Sequence, residues 1–174
     1  MARRETNPAK IEKSYYITKA RKFFRKARAI VIKDGKLLLI KMLFNDGRVH
    51  YLLPGGGVED GETIKDTILR ETLEEYNAAV KILKYLDKQY YNIDLEFNGE
   101  KFVSHRVEYY YLCEFENFVD GIEMGIGDEF VSNEKTYSKV ELSLDEVLKL
   151  RAKDINSMSE KTYAKLVDYL KSIQ

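Results

Sequence analysis

Residues 56–78 read GGVEDGETIKDTILRETLEEYNA, and with Leu53-Pro54-Gly55 just before them they define a turn followed by a helix. Pro54 locks φ, whereas Gly55, Gly56 and Gly57 tolerate any φ, so the backbone can reverse sharply and lie close against a ligand. Helix signals begin at Thr63. Ile64, Ile68, Leu69, Leu73 and Tyr76 recur at helical spacing, and Thr63 with Asp66 is placed to cap the first turn. At about 100° per residue, Glu71, Glu74 and Glu75 fall within roughly a third of the circumference, so three carboxylates share one face. Such like-charge pairs destabilise an isolated helix by about a few tenths of a kcal/mol each. A bound cation would relieve them, and hard oxygen ligands suit Mg²⁺ or Mn²⁺. A solvated acidic face is the alternative.

Gly56, Glu62, Arg70, Glu71, Glu74 and Glu75 together give this segment a strong resemblance to the signature box of the Nudix hydrolases (MutT-like). That box runs Gly, five residues, Glu, seven residues, Arg-Glu, two residues, Glu-Glu. Thr72 stands where an aliphatic residue is usual, Asn77 where the closing Gly is expected, and Tyr51 where a Trp often precedes the Pro-Gly-Gly segment. Asn is the next-best residue for a left-handed helix end, and none of these departures removes a carboxylate. The resemblance implies an α/β/α sandwich around a mixed β-sheet. It also implies that Glu71, Glu74 and Glu75, with a backbone carbonyl near Gly56, bind one or more divalent metals that bridge to a diphosphate. Glu62 and Arg70 then pair and brace the loop against the helix. The base that activates water is a box acid in some family members and a Glu of a later loop in others. Glu129 and Glu134 are the loop candidates here.

The remaining elements follow from turn chemistry. Ala29–Lys33 and Lys36–Met42 are apolar runs separated by Asp34-Gly35, a hairpin signal. Asn45-Asp46-Gly47 turns the chain into Val49–Leu53, the strand that delivers the box. Val80–Phe97 and Lys101–Phe115 are expected as long strands joined at Asn98-Gly99, and Lys139–Leu142 as a short final strand. The stretch from Asp120 to Ser138 is expected as a long loop. Two terminal helices each open with Ser-x-x-Glu, Ser143 with Glu146 and Ser157 with Glu160. Tyr163, Leu166, Val167 and Leu170 mark the buried face of the last. This order predicts an α/β fold, a mixed sheet between helical layers, in a single domain over 1–174.

The chain carries 29 Lys and Arg against 29 Asp and Glu, a formal net charge of zero, but the charges are unevenly spread. Residues 1–28 are strongly basic, with Glu5 and Glu12 as their only acids, so residues 1–25 are expected as a basic arm. Such an arm can steer anionic substrates or contact RNA, or simply decorate the surface. One cysteine, Cys113, excludes an intramolecular disulfide, and with two histidines a Cys/His zinc site is not expected. His50 and His105 are read as ordinary strand residues and Cys113 as a small core residue. With no long uncharged apolar run and no apolar leader, the expectation is a soluble, cytoplasmic protein with no membrane partner, compatible with a homodimer.

Three functional classes follow. The first is a metal-dependent pyrophosphatase that splits a nucleoside diphosphate linked to another moiety. The second is a nucleotide-sensing module without hydrolysis, which tends to lose box acids that are all present here. The third is an RNA 5′-end pyrophosphohydrolase, for which the basic arm is the support. The substrate markers usual downstream of the box are not evident.

Overall fold

The computed structural model describes residues 23–97, 99–121, 129–131 and 135–174. Strands Phe23–Lys33 (β1) and Lys36–Phe44 (β2) form the expected hairpin, with Asp34 and Gly35 at φ of 50° and 74°. They pair antiparallel only next to the turn, at Ile32–Leu37 and Lys33–Lys36, and then diverge. The following segment fills the split. Val49–Leu52 (β3) pairs with β2, and Gly55–Gly57 (β4) pairs with β1 through Arg28–Gly55, Ala27–Gly56 and Lys26–Gly57. The Gly-rich turn is thereby built into the sheet and opens onto helix α1, Ile64–Tyr76.

Ala78–Phe97 (β5) and Glu100–Phe118 (β6) form a long antiparallel hairpin, and β6 runs parallel to β1 from Phe23–His105 to Ile32–Glu114. Glu129–Val131 (β7) and Lys135–Leu142 (β8) complete a mixed sheet ordered β5-β6-β1-β2-β8-β7. The period of two along β1 and β2 sends alternate residues to opposite faces. Ala27, Ala29, Val31, Leu38 and Ile40 pack with Ile68 and Tyr76 of α1, and with Cys113. Ile30, Leu37 and Leu39 pack with Val147 of Leu144–Val147 (α2) and with Leu166 and Leu170 of Glu160–Ser172 (α3). Both faces are covered, which is the α/β/α sandwich expected from the sequence. Asp87 of β5 accepts a hydrogen bond from Thr162 and pairs with Lys165, tying α3 to the sheet.

Several boundaries differ from expectation. β1 begins at Phe23, so residues 23–25 of the expected basic arm are strand, and parallel pairing with β6 extends the run beyond its apolar part. Residues 1–22 lie outside the described residues. The expected loop from Asp120 to Ser138 contains β7 and the start of β8, whose polar residues are carried by pairing with β2 rather than by apolar burial. The last helix is capped by Ser159, which accepts from the Thr162 backbone, and not by Ser157, which sits at a φ of 50°. Leu69 faces solvent, because the buried stripe of α1 runs through Ile68, Thr72 and Tyr76.

Candidate active site

The Gly turn and α1 meet as the spacing predicts. Thr63 and Asp66 form a reciprocal capping box, and Asn77 ends the helix in the left-handed region. Gly55 has a φ of 149°, and a Cβ there would overlap the Ala27 carbonyl, so only glycine lets β4 lie this close to β1. A Cβ at Gly56 would overlap the Glu71 carboxylate, so that side chain lies directly on the turn. Glu75 accepts a hydrogen bond from the Gly55 N–H at 2.8 Å. Thr72, where the family has an aliphatic residue, is buried with its hydroxyl donating back to the Ile68 carbonyl at 2.9 Å. Its polar atom therefore costs little.

Arg70 binds Glu62 in bidentate fashion, Nε to Oε1 at 2.6 Å and an Nη to Oε2 at 3.0 Å, and donates to the Gly57 carbonyl at 3.1 Å. It also reaches Glu71 at 3.0 Å and Glu74 at 3.3 Å. The Arg70 bonds hold the Glu62 carboxyl at about 2, against a smaller upward push from burial. Burial pushes the Glu75 carboxyl up to about 7; the Gly55 N–H opposes this, and the negative charges of Glu71 and Glu74 add to it. Glu71 is raised for the same leading reason, with Arg70 opposing. Glu74 is the most exposed of the three and turns toward Arg70.

Among the described residues, no three His, Cys, Asp or Glu side chains already form a metal-ligating group. Instead, Glu71 and Glu75 flank the Gly turn, with Glu74 at the rim. The donor chemistry fits a hard divalent cation: hard oxygens, burial and mutual repulsion that a positive charge would relieve. Mg²⁺ in particular uses one or two carboxylates with waters and substrate phosphates rather than a full protein cage. Glu129 falls on β7 by its backbone; its side chain and all of Glu134 lie outside the described residues.

A second polar cluster sits on the other side of the turn. Arg28 of β1 donates through Nε to Glu108 and through an Nη to the carbonyls of Gly55 at 2.8 Å and Leu53 at 3.3 Å. Glu108 also accepts from Tyr110 at 2.8 Å, Asn156 at 3.1 Å and Gln89 at 3.3 Å. Burial works against the Arg28 charge, yet the Glu108 carboxylate more than offsets it and holds the guanidinium above its ordinary value. A cavity of about 290 Å³ opens here, lined by Arg28, His50, Leu52, Tyr91 and Asn156 among others. Burial lowers His50, which favours its neutral form. His105 bonds Asn92 on the exposed hairpin, away from the turn. Lys26, on the same strand face as Arg28, is lowered to about 8 by burial and then by repulsion from Arg28 and Arg106.

By sequence Lys26 and Arg28 fall in the basic stretch 1–28, Tyr91 reads as a strand residue, and no motif singles out Gln89, Glu108 or Asn156. The available signal was a charge inside each of two apolar strands: Arg28 between Ala27 and Ala29, and Glu108 between Val107 and Tyr109. Such charges are buried only when paired.

The NUDIX domain profile matches residues 23–162. The chain belongs to the Nudix hydrolase family. It is 42% identical over 57 residues to an ADP-ribose pyrophosphatase of Methanocaldococcus jannaschii, a match spanning 33% of this chain and only 34% of that enzyme. By fold it is similar to a NUDIX hydrolase from Nitrosomonas europaea, at a TM-score of 0.57 and 17% identity over 86% of this chain and 89% of the other. It is also similar to the E. coli ORF135 protein, at 0.53 and 18% over 90% and 96%. Among the described residues no helix is long and apolar enough to cross a membrane.

Proposed function

We infer that this chain is a divalent-metal-dependent pyrophosphatase that hydrolyses a nucleoside diphosphate linked to another moiety. The observation that carries this reading is the packing of the Glu71 and Glu75 carboxylates against the Gly55–Gly57 turn, where burial first, and then the charge of neighbouring box acids, raises both and a cation would be favoured. Glu71, Glu75 and the more exposed Glu74 would hold Mg²⁺ or Mn²⁺ with a backbone carbonyl near Gly56. When bound, the metal would lower the pKa of its water and neutralise charge on the phosphoryl oxygens.

The chain's own residues do the rest. Arg70 and Glu62 brace the turn against α1. Lys26, crowded by Arg28 and Arg106, offers positive charge that an anionic diphosphate would relieve. The cavity beside Arg28 would receive the uncharged part of the substrate, since its Arg28–Glu108 pair is self-neutralised and its other walls, Leu52, Tyr91 and Asn156 among them, carry no formal charge. A box acid, or Glu129 or Glu134 of the later segment, takes the proton of the attacking water.

The test is a panel of nucleoside diphosphate conjugates, headed by ADP-ribose because the Methanocaldococcus jannaschii relative carries that activity in its name, assayed with Mg²⁺ and with Mn²⁺. Release of a nucleoside monophosphate and a phosphorylated remainder, abolished by excess EDTA, is expected. Full activity in EDTA, or no hydrolysis of any member, would overturn the reading.

A further inference from the structure

We propose that Glu108 is a positioning residue for the metal site, acting through Arg28 and Asn156 on the Gly turn that holds Glu75. The inference rests on the metal reading given above.

Glu108 is 2% exposed and accepts four hydrogen bonds, which fill the about four lone-pair sites of its carboxylate and leave its orientation fixed. Two of its donors hold the turn. Arg28, fixed by Glu108 at Nε, uses an Nη to bind the carbonyls of Leu53 and Gly55. Asn156, fixed by Glu108 at Nδ2, turns Oδ1 to accept from the Leu53 N–H at 3.2 Å, while its own N–H donates to the Tyr51 carbonyl at 2.7 Å. Three backbone atoms of the Leu53–Gly55 turn are therefore held by two side chains that share one carboxylate. The next atom in the relay is the Gly55 N–H, which holds Glu75.

Gly55 has little latitude, because its backbone abuts the Ala27 carbonyl. The Gly55 carbonyl and N–H lie on adjacent peptide units that share one Cα, and the Pro54 carbonyl, in the plane of that N–H, accepts from the Ala29 N–H at 2.8 Å. A change of φ or ψ at Gly55 that broke the Arg28 bond would therefore tilt the Glu75 donor against this neighbour. Partners one step removed from a ligand commonly set metal affinity by about 10- to 100-fold.

The probe is Mn²⁺ alone, titrated without substrate and followed by loss of the free-ion EPR signal. Glu108→Gln, whose amide oxygen can still accept from the Arg28 Nε, should weaken Mn²⁺ binding by about tenfold or more. Because a network residue and its target are coupled, that loss should persist in a Glu74→Gln background and shrink to less than about twofold in a Glu75→Gln background. Asn156→Ala, which leaves the Arg28–Glu108 pair intact, should weaken Mn²⁺ binding in the same direction and serves if Glu108→Gln does not fold. A loss of equal size in all backgrounds would make Glu108 a structural residue only. Unchanged Mn²⁺ binding in both Glu108→Gln and Asn156→Ala would overturn the positioning role while leaving the metal reading standing. A wild-type protein that binds no Mn²⁺ would overturn both.

Discussion

Glu75 and Glu108 lie on opposite sides of the same turn, and their surroundings treat them in opposite ways. Glu75 has one neutral donor, the Gly55 N–H, with two other carboxylates nearby, and its carboxyl is pushed up to about 7. Glu108 is more deeply buried, yet it is matched by a guanidinium and three neutral donors. Burial alone does not decide whether an acid is under electrostatic load; the donor set does. The unrelieved side is where a cation would gain most, and the satisfied side is where the backbone gains its rigidity.

Removing each acid should therefore have opposite consequences. Glu108→Ala strands the Arg28 charge in the sheet and should cost about 3–5 kcal/mol in urea unfolding. A loss below about 1 kcal/mol would mean the pair is not compensating that burial. Glu75→Gln removes a repelling charge and should leave metal-free stability unchanged or slightly higher. Its turnover should nonetheless fall by about 100-fold or more, near 3 kcal/mol in the barrier. Full turnover in Glu75→Gln would erase the distinction between the two acids.

The difference also explains what could be read in advance. Glu62, Arg70, Glu71, Glu74 and Glu75 lie on one turn and one helix, so their spacing in sequence is their spacing in space. The capping box, the Asn77 helix end and the Glu62–Arg70 pair were legible for that reason. Arg28, Gln89, Glu108 and Asn156 come from β1, β5, β6 and the loop before α3, and the parallel β1–β6 pairing, the β5–β6 register that sets Gln89 opposite Glu108, and the Tyr51–Ile155 bridge bring them together. No local period encodes such a juxtaposition. The sheet itself was legible where Ile, Val and Leu alternate. It was missed in β7, a three-residue strand too short to show a period, and in the first half of β8, where Lys135, Thr136 and Ser138 interrupt the apolar pattern and pairing with β2 holds the strand.

Arg70 links the two regimes, since it satisfies Glu62 fully and Glu71 and Glu74 only in part. Arg70→Ala should cost about 2 kcal/mol, chiefly through Glu62, because Glu74 is exposed enough for solvent to screen its share. The pH dependence isolates the pair. Glu62 titrates near 4.5 when unfolded and at about 2 when folded, so its folded form holds fewer protons in between. Its contribution is fully present above about 4.5 and is lost as pH falls toward 2. Arg70→Ala should flatten that acid limb of stability. An unchanged slope between pH 5 and 2 in chemical denaturation would show that Arg70 does not hold Glu62 in solution.

The smallest expected effect concerns Asn77, where the helix carrying the acids ends. Its backbone is well used: the N–H donates to the Leu73 carbonyl at 3.1 Å, and its carbonyl accepts from Val119 at 2.9 Å. Its side-chain Oδ1, by contrast, is buried with no hydrogen-bond partner among the described residues, at a φ of 56°. Asn77→Gly removes both the unpaired oxygen and the Cβ from a left-handed position. Against that stands the greater freedom of glycine in the unfolded chain, worth about 0.5–1 kcal/mol. Leaving a neutral carbonyl unpaired costs about 1–3 kcal/mol, so the balance favours the variant by about 1 kcal/mol. For a chain of this size that raises Tm by about 2–4 °C in calorimetry. A lower Tm would mean that the Oδ1 finds a partner in solution, and that the acid-bearing helix is closed by a hydrogen bond rather than by conformation alone.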